Sequence, residues 1–291
     1  VKILKNVKDC RATYREILLG YTYLEKENLY VKHFDESDLG KLEVFYAKCE
    51  KKLRKLGIES TKEKLDFLKK EDYWSEDEEN SYTNAKYALT DAHTFAETLQ
   101  AKEQKEKFQA TIIEKSEELQ EIGEKRREVL YPTIETFCDK VLNEHYVRMA
   151  LYKDEKLSEP YFTEEEFSDI SYVDLSELVK EYNKVIESFT DDNLKRIAVN
   201  GFFLNSFLMS DGDPVKFYGK NVLEMTTYQM NLFGKGRFYK SILEEGKNPP
   251  DLLYDQINEN GLDPIVSFYD LAHAQIKTER QQANARAKRG R

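Results

Sequence analysis

From Ser75 to about Leu130 the chain reads "SEDEENSYTNAKYALTDAHTFAETLQAKEQKEKFQATIIEKSEELQEIGEKRREVL", with Gly123 as its one breaker and almost no turn chemistry. A run of that length is too long for a strand or an ordinary connection, so it must be helical. Ser75 and Glu78 fit a capping box, in which the serine oxygen accepts a free backbone N–H and the glutamate reaches back to the cap. Ala85, Leu89, Ala92, Ala96 and Leu99 then alternate steps of four and three, the seam of a coiled coil whose small residues permit close approach. After a break across "AKEQKEK" the seam resumes with Phe108, Ile112, Leu119, Ile122 and Val129. Two arrangements fit: one long protruding helix, or an antiparallel helical hairpin folded at the break. The loss of phase there favours the hairpin.

The remainder reads as further helices around one small β element. "GYTYLEKENLYVKHF", Gly20 to Phe34, sets aromatic and β-branched residues on either side of Glu25-Lys26-Glu27-Asn28 and predicts a hairpin. An isolated hairpin is marginal in water, so it should pack on a helix, with Arg11–Leu19 and Ser37–Leu56 as candidates. The second of these ends near Gly57, and Ser60 with Glu63 caps the next helix. Pro132 suits the first turn of a helix running to about Tyr152, and Thr163 with Glu166 forms a third capping box. Helices are expected at Ser171–Ser188 and Thr190–Met209, then across "NVLEMTTYQMNLF" and "GRFYKSILEEG" up to Gly246 and Pro249-Pro250. A last helix begins at Asp263-Pro264 and fades into a basic tail. The expected fold is mainly α: a multi-helix bundle with a long helical hairpin or coiled-coil segment and one small N-terminal β-hairpin. The expected divisions are 1–74, 75–130, a C-terminal helical domain at 131–276, and the tail at 277–291.

Composition narrows the function classes. The 16 Phe and 19 Tyr give more aromatic area than a disordered chain carries. A net charge of −10 argues against a nonspecific nucleic-acid binder, which needs a positive surface. The tail differs in sign: from Lys277 to Arg291 six Lys or Arg face Glu279 alone, so that end carries +5 and the remainder −15. It reads as a frayed terminus, a nucleic-acid arm or a hook for an acidic partner, and the lack of interleaved aromatics speaks against base stacking. Cys10, Cys49 and Cys138 are odd in number and widely spaced, neither a disulfide framework nor a zinc motif, which fits a reducing cytoplasm. No signal peptide or membrane span is expected.

Motifs for catalysis or metal binding do not assemble. Asp211-Gly212-Asp213-Pro214 lacks the further oxygen ligands of a calcium loop and reads as a turn that ends one helix and starts the next. Gly234-Lys235-Gly236-Arg237 lacks phosphate-loop spacing and reads as a kink or tight joint, with Lys235 and Arg237 free to meet an acidic partner. Cys138 and His145 are too far apart along a helix to share one tetrahedral ion, and Asp270 with His273 lacks the second pair that a di-metal bundle requires. No nucleophile elbow, HExxH or zinc-deaminase pattern occurs. No catalytic residue, cofactor or metal is therefore expected. The apolar run "NGFFLNSFLM" covers too much of a helix circumference for a surface helix and reads as a buried central helix, with a partner groove as the alternative.

The runs "LYKDEKLSEPYFTEEEFSDI" and "NGFFLNSFLMSDGDPVKFYGKNVLEMTTYQMNLFGKGRFYKSIL", with "GYTYLEKENLYVKHF" and "KKEDYWSEDEEN", resemble a poorly characterised protein family of large contractile-tailed bacteriophages. The resemblance covers most of the chain except the tail and carries over no functional residue. It implies a non-enzymatic protein of the tail module that acts like a chaperone in tail or baseplate assembly, in the host cytoplasm or the virion. Its partners would be other helical tail or baseplate proteins, with self-association through 75–130. Flexible methionines suit such adaptable contacts, so the expected partner-binding residues are Phe203, Phe207, Met225, Met230, Lys235 and Arg237, with Arg286, Lys288 and Arg289 of the tail. The alternatives are a structural virion subunit of the neck, tail or baseplate, and a nucleic-acid-associated factor using the basic arm.

Overall fold

The computed structural model describes residues 3–99, 102–255, 257 and 261–289, with the backbone alone at 97–98, 102–103, 105–106 and 281–289. The chain is mainly α with a small antiparallel sheet, and it divides into two compact units, Val1–Leu42 with Glu144–Arg291 and Glu43–Asn143.

The first unit begins with α1 (Val7–Leu19), started by Asn6, whose side chain accepts from Asp9 N, and closed by Gly20 in the left-handed region at φ 81°. A Cβ is disfavoured in that conformation, and Gly20 lets the chain turn directly into the sheet. β1 (Tyr21–Leu24) and β2 (Leu29–Lys32) pair with Tyr21 opposite Lys32 and Leu24 opposite Leu29, which is the predicted hairpin. A third strand, β3 (Leu151–Tyr152), pairs antiparallel with β2, Leu151 facing Val31. The sequence reading carried the preceding helix to about Tyr152. It ends instead at Ala150, because the free edge of β2 offers Leu151 and Tyr152 a ladder and a buried apolar face.

Capping and side-chain hydrogen bonds place the helices that follow β3. α7 (Glu164–Ser168) opens on the Thr163 capping box, and Ser171 caps α8 (Tyr172–Ile186). The expected single helix from Thr190 to Met209 is two, α9 (Asp191–Ala198) and α10 (Gly201–Met209). Asn200 causes the break: its backbone is extended and its Nδ2 donates to Arg196 O at 2.6 Å, satisfying a carbonyl that the helix end leaves open. Asp213 then caps α11 (Pro214–Tyr218) through Val215 N and Lys216 N with Pro214 in the first turn, so the Asp-Gly-Asp-Pro stretch is the predicted joint.

The last helices close the unit. The helix expected from Asn221 is a 3-10 turn at Val222–Glu224 and then α12 (Thr227–Glu244), opened by a Thr226–Gln229 capping box. α12 runs unbroken through Gly234 and Gly236, so no joint between helices lies there; a Cβ on Gly236 would stand 2.6 Å from the Phe207 ring, and the glycine permits that close crossing. α13 (Asp251–Asp255) and α14 (Asp263–Arg289) complete the unit.

Helices α1, α9, α12 and α14 form its core, where the rings of Tyr239 and Tyr269 pack tilted, 4.5 Å between centroids, with no exposed surface. Hydrogen bonds tie the N-terminal segment into this core: Leu4 N donates to Asn193 Oδ1 at 3.0 Å, and Gln229 Nε2 to Ile17 O at 2.8 Å.

The Glu43–Asn143 unit takes most of α2 (Glu36–Lys55), α3 (Thr61–Lys70), α4 (Glu76–Thr98), α5 (Lys102–Leu130) and the first part of α6 (Ile134–Ala150). The Ser60 and Ser75 capping boxes both form. α4 and α5 are an antiparallel hairpin: Glu79 near the start of α4 meets Arg126 near the end of α5, and the Phe95 ring packs tilted against Phe108 at 5.0 Å. Pro132 does not open α6. It follows a cis peptide, and the hydroxyl of Thr133 accepts from Thr136 N just ahead of the helix. The expected boundaries at 74/75 and 130/131 do not coincide with the units, because Leu68, Trp74 and Leu130 share one buried cluster that fixes the hairpin to α3. Likewise the first 42 residues belong with the C-terminal helices and not with α3.

Candidate functional site

Within α10 the phase of burial separates core from surface. Phe203, Leu204 and Phe207 point inward, while Asn205, Ser206, Leu208 and Met209 face outward. Phe203 and Phe207 are wholly buried, packing on Phe217 of α11 at 5.5 and 6.2 Å, and Phe207 meets Phe233 of α12 at 4.9 Å. Met225 is 2 % exposed. These three expected partner-binding residues are therefore interior, the two rings at the junction of α10, α11 and α12 and Met225 by its burial, so a folded chain does not present them at its surface. The run is not the buried central helix expected: α10 buries Phe203, Leu204 and Phe207 on one side and exposes Asn205, Ser206, Leu208 and Met209 on the other.

A different set of apolar side chains reaches solvent on the same segment. Met209 is 79 % and Leu223 72 % exposed, and Leu208, Val215, Val222 and Met230 are also exposed. They lie on the last turn of α10, the start of α11, the 3-10 turn and the start of α12. Single exposed apolar residues are ordinary, but six within 23 residues concentrate apolar exposure on this segment of the chain. The sequence signal that would have found it is the polar pair Asn205-Ser206: in an otherwise apolar helix it marks the outward arc, which Met209 shares at i+4 and i+3. Sequence reasoning picked the phenylalanines because hydrophobicity alone does not give the phase.

Charged candidates divide. Lys235 is held in an ion pair with Asp191, whereas Arg237 is exposed on α12. Near the segment, Lys216 pairs with Asp211 at 2.6 Å, and burial draws the Lys220 ammonium below its ordinary value. In the tail, Arg280 pairs with Glu245 and Lys247 meets Glu279 at 3.7 Å. Arg286, Lys288 and Arg289 have backbone in α14, and their side chains lie outside the described residues.

Among the clefts with the size of small-ligand sites, two are bordered by an arginine already paired with a carboxylate. One, of about 340 Å³ in the Glu43–Asn143 unit, is bordered by Tyr82, Gly123, Arg126 and Tyr131. Its Arg126 makes paired bonds of 2.8 and 2.9 Å to Glu79 and stacks over Tyr82. The other, of about 760 Å³ between the N-terminal segment and the start of α14, has Arg196 bound to Asp263 at 2.7 Å. Asp270 accepts from Lys195 at 3.3 Å and His273 packs on Phe238 at 4.8 Å. Among the described residues no group of three or more His, Cys, Asp or Glu is placed to hold a metal ion, and no helix is long and apolar enough to cross a membrane.

No protein-family model, no curated protein and no solved structure matches the chain.

Proposed function

We propose that the chain is a non-enzymatic binding protein that assists assembly of a contractile phage tail or baseplate by holding another helical protein. The exposed apolar stretch from Leu208 to Met230 carries the reading. The flexible Met209 and Met230 adapt to an amphipathic helix whose apolar residues recur at i, i+3, i+4 and i+7. Support for the phage tail as the setting comes from the resemblance of the 151–170 and 200–243 runs to proteins of contractile-tailed phages.

The test is capture of the tagged chain from cells in which it is naturally made, with bound proteins read by mass spectrometry. One or a few tail proteins are expected with wild type and are expected to be lost with Met209→Glu, Leu223→Glu, while circular dichroism of that variant stays that of a folded helical protein. Stoichiometric recovery of the chain in purified particles would replace this reading with that of a virion subunit. A complex dissolved by nuclease would replace it with the basic-arm reading.

A further inference from the structure

The junction of α2 and α6 inside the Glu43–Asn143 unit brings two cysteines together. On α2, Cys49 and Leu53 are four residues apart and share a face; on α6, Ile134 and Cys138 do the same. Leu53, Ile134 and Cys138 form one buried cluster, and Cys49 packs against it with Tyr46 and Ile58. Backbone and side-chain bonds place the start of α6. Ile134 N donates to Glu59 O at 3.0 Å, and Thr61 N donates to Glu135 at 2.7 Å, so α6 starts beside the chain that has just left α2. The start of α6 therefore lies beside the end of α2, and Leu53, Ile134 and Cys138 meet in the cluster on which Cys49 packs. Cys49 thus lies against the same small cluster that holds Cys138.

We propose that Cys49 and Cys138 are a redox pair that closes to an intramolecular disulfide, tying α2 to α6. Their packing around one small cluster brings them into the proximity that a disulfide first requires. Access assigns the roles. Cys138 has no exposed surface and Cys49 is partly exposed, so an oxidant from solvent meets Cys49 first. Burial, and then the neighbouring Cys49 thiol, push the Cys138 thiol up to about 12, which keeps it protonated and leaves the first attack to Cys49.

With a hydroperoxide as oxidant, the Cys49 thiolate attacks one peroxide oxygen, the O–O bond breaks, and a sulfenic acid forms as hydroxide or alkoxide leaves. The Cys138 sulfur then attacks Cys49 Sγ. The S–S bond forms, the S–O bond breaks, and the departing hydroxide takes the Cys138 proton as water. Two thiols lose two electrons in all, and the peroxide is reduced to two waters, or to water and an alcohol. Cys10, wholly buried in the other unit, serves as an internal control.

The experiment is treatment of the full chain with hydrogen peroxide, followed by alkylation under denaturing conditions and peptide mapping without reductant. The expected result is a fall in free thiols from three to one, a linked peptide pair containing Cys49 and Cys138, a single-chain mass on a non-reducing gel, and reversal by dithiothreitol. In Cys49→Ser the Cys138 peptide should remain alkylated after the same treatment. Three retained thiols, chains cross-linked to each other, or Cys49 carried to sulfinic acid with Cys138 still free would each overturn the proposal. Because the mapping is read on wild type, a misfolded variant does not blur the result.

Discussion

At single positions the packing of unit Val1–Leu42 with Glu144–Arg291 makes two sharp demands. Gly236 must lack a side chain, because any Cβ there enters the Phe207 ring. Gly236→Ala should lower unfolding free energy by about 1–3 kcal/mol, the range for overpacking, as measured by urea denaturation. Adding Phe207→Leu should restore part of it, whereas strictly additive losses would contradict the close crossing.

His33 is the second case. Thr22 Oγ1 donates to Glu16 at 3.0 Å, so it must accept from His33 Nε2 at 3.0 Å, which leaves Nδ1 unprotonated and without a partner among the described residues. Phe189 and Tyr228 pack edge-on against the ring, and its burial lowers the pKa from 6.5 to about 3. The unfolded chain therefore binds the proton more readily than the folded one. The stability owed to neutral His33 is complete above pH 6.5 and drains away as pH falls toward 3, on the order of 2 kcal/mol by pH 5. His33→Gln keeps a donor for Thr22 and cannot titrate, so its stability should fall less than that of wild type between pH 8 and pH 5. Parallel pH curves for the two proteins would contradict the assignment. Neither demand was legible in the sequence: Gly236 read as a joint and His33 as one of four scattered histidines, since both depend on what the fold brings alongside.

Elements were far more legible than contacts, and the reason is locality. The boxes at Ser60, Ser75 and Thr163 are complete within four residues, and all three form. The hairpin of α4 and α5 was visible as a seam that lost phase. What was missed needed a distant partner: β3 exists because β2 has a free edge, and the break at Asn200 lies inside an apolar run that by composition continues as helix.

The hairpin's own clasp is likewise nonlocal. Arg126 bonds to Glu79, and Trp74 Nε1 donates to the same carboxylate at 2.9 Å. The Arg126 hydrogen bond is the largest influence on Glu79 and holds its carboxyl below the ordinary value; the pair is mostly buried. Its stabilisation is present above the ordinary glutamate pKa and lost as pH falls through the lowered one. Arg126→Ala should cost about 1–3 kcal/mol at neutral pH, by leaving a half-buried carboxylate unpaired, and should cost less in acid. An equal loss at both pH values in thermal unfolding would show that the guanidinium acts only by packing on Tyr82.

On the scale of the molecule, the chain leaves one compact unit at residue 42 and returns to it at 144. The N-terminal segment is thus part of a core built mainly from residues far along the chain. Deleting residues 1–34 removes α1, β1, β2 and the carbonyls that satisfy Gln229, and should abolish cooperative melting of that unit in circular dichroism. A deletion variant that keeps two-state melting would show that α1 is dispensable. The candidate binding surface was only half legible: the segment was singled out from its apolarity, but the buried residues were taken in place of the exposed ones.

The central claim is that this exposed face, and not the phenylalanine core, meets a partner. The most direct measurement compares proteins captured by wild type with those captured by folded Met209→Glu, Leu223→Glu. Loss of one or a few tail proteins with the variant is the predicted result. Undiminished capture by a variant whose melting is unchanged would contradict it.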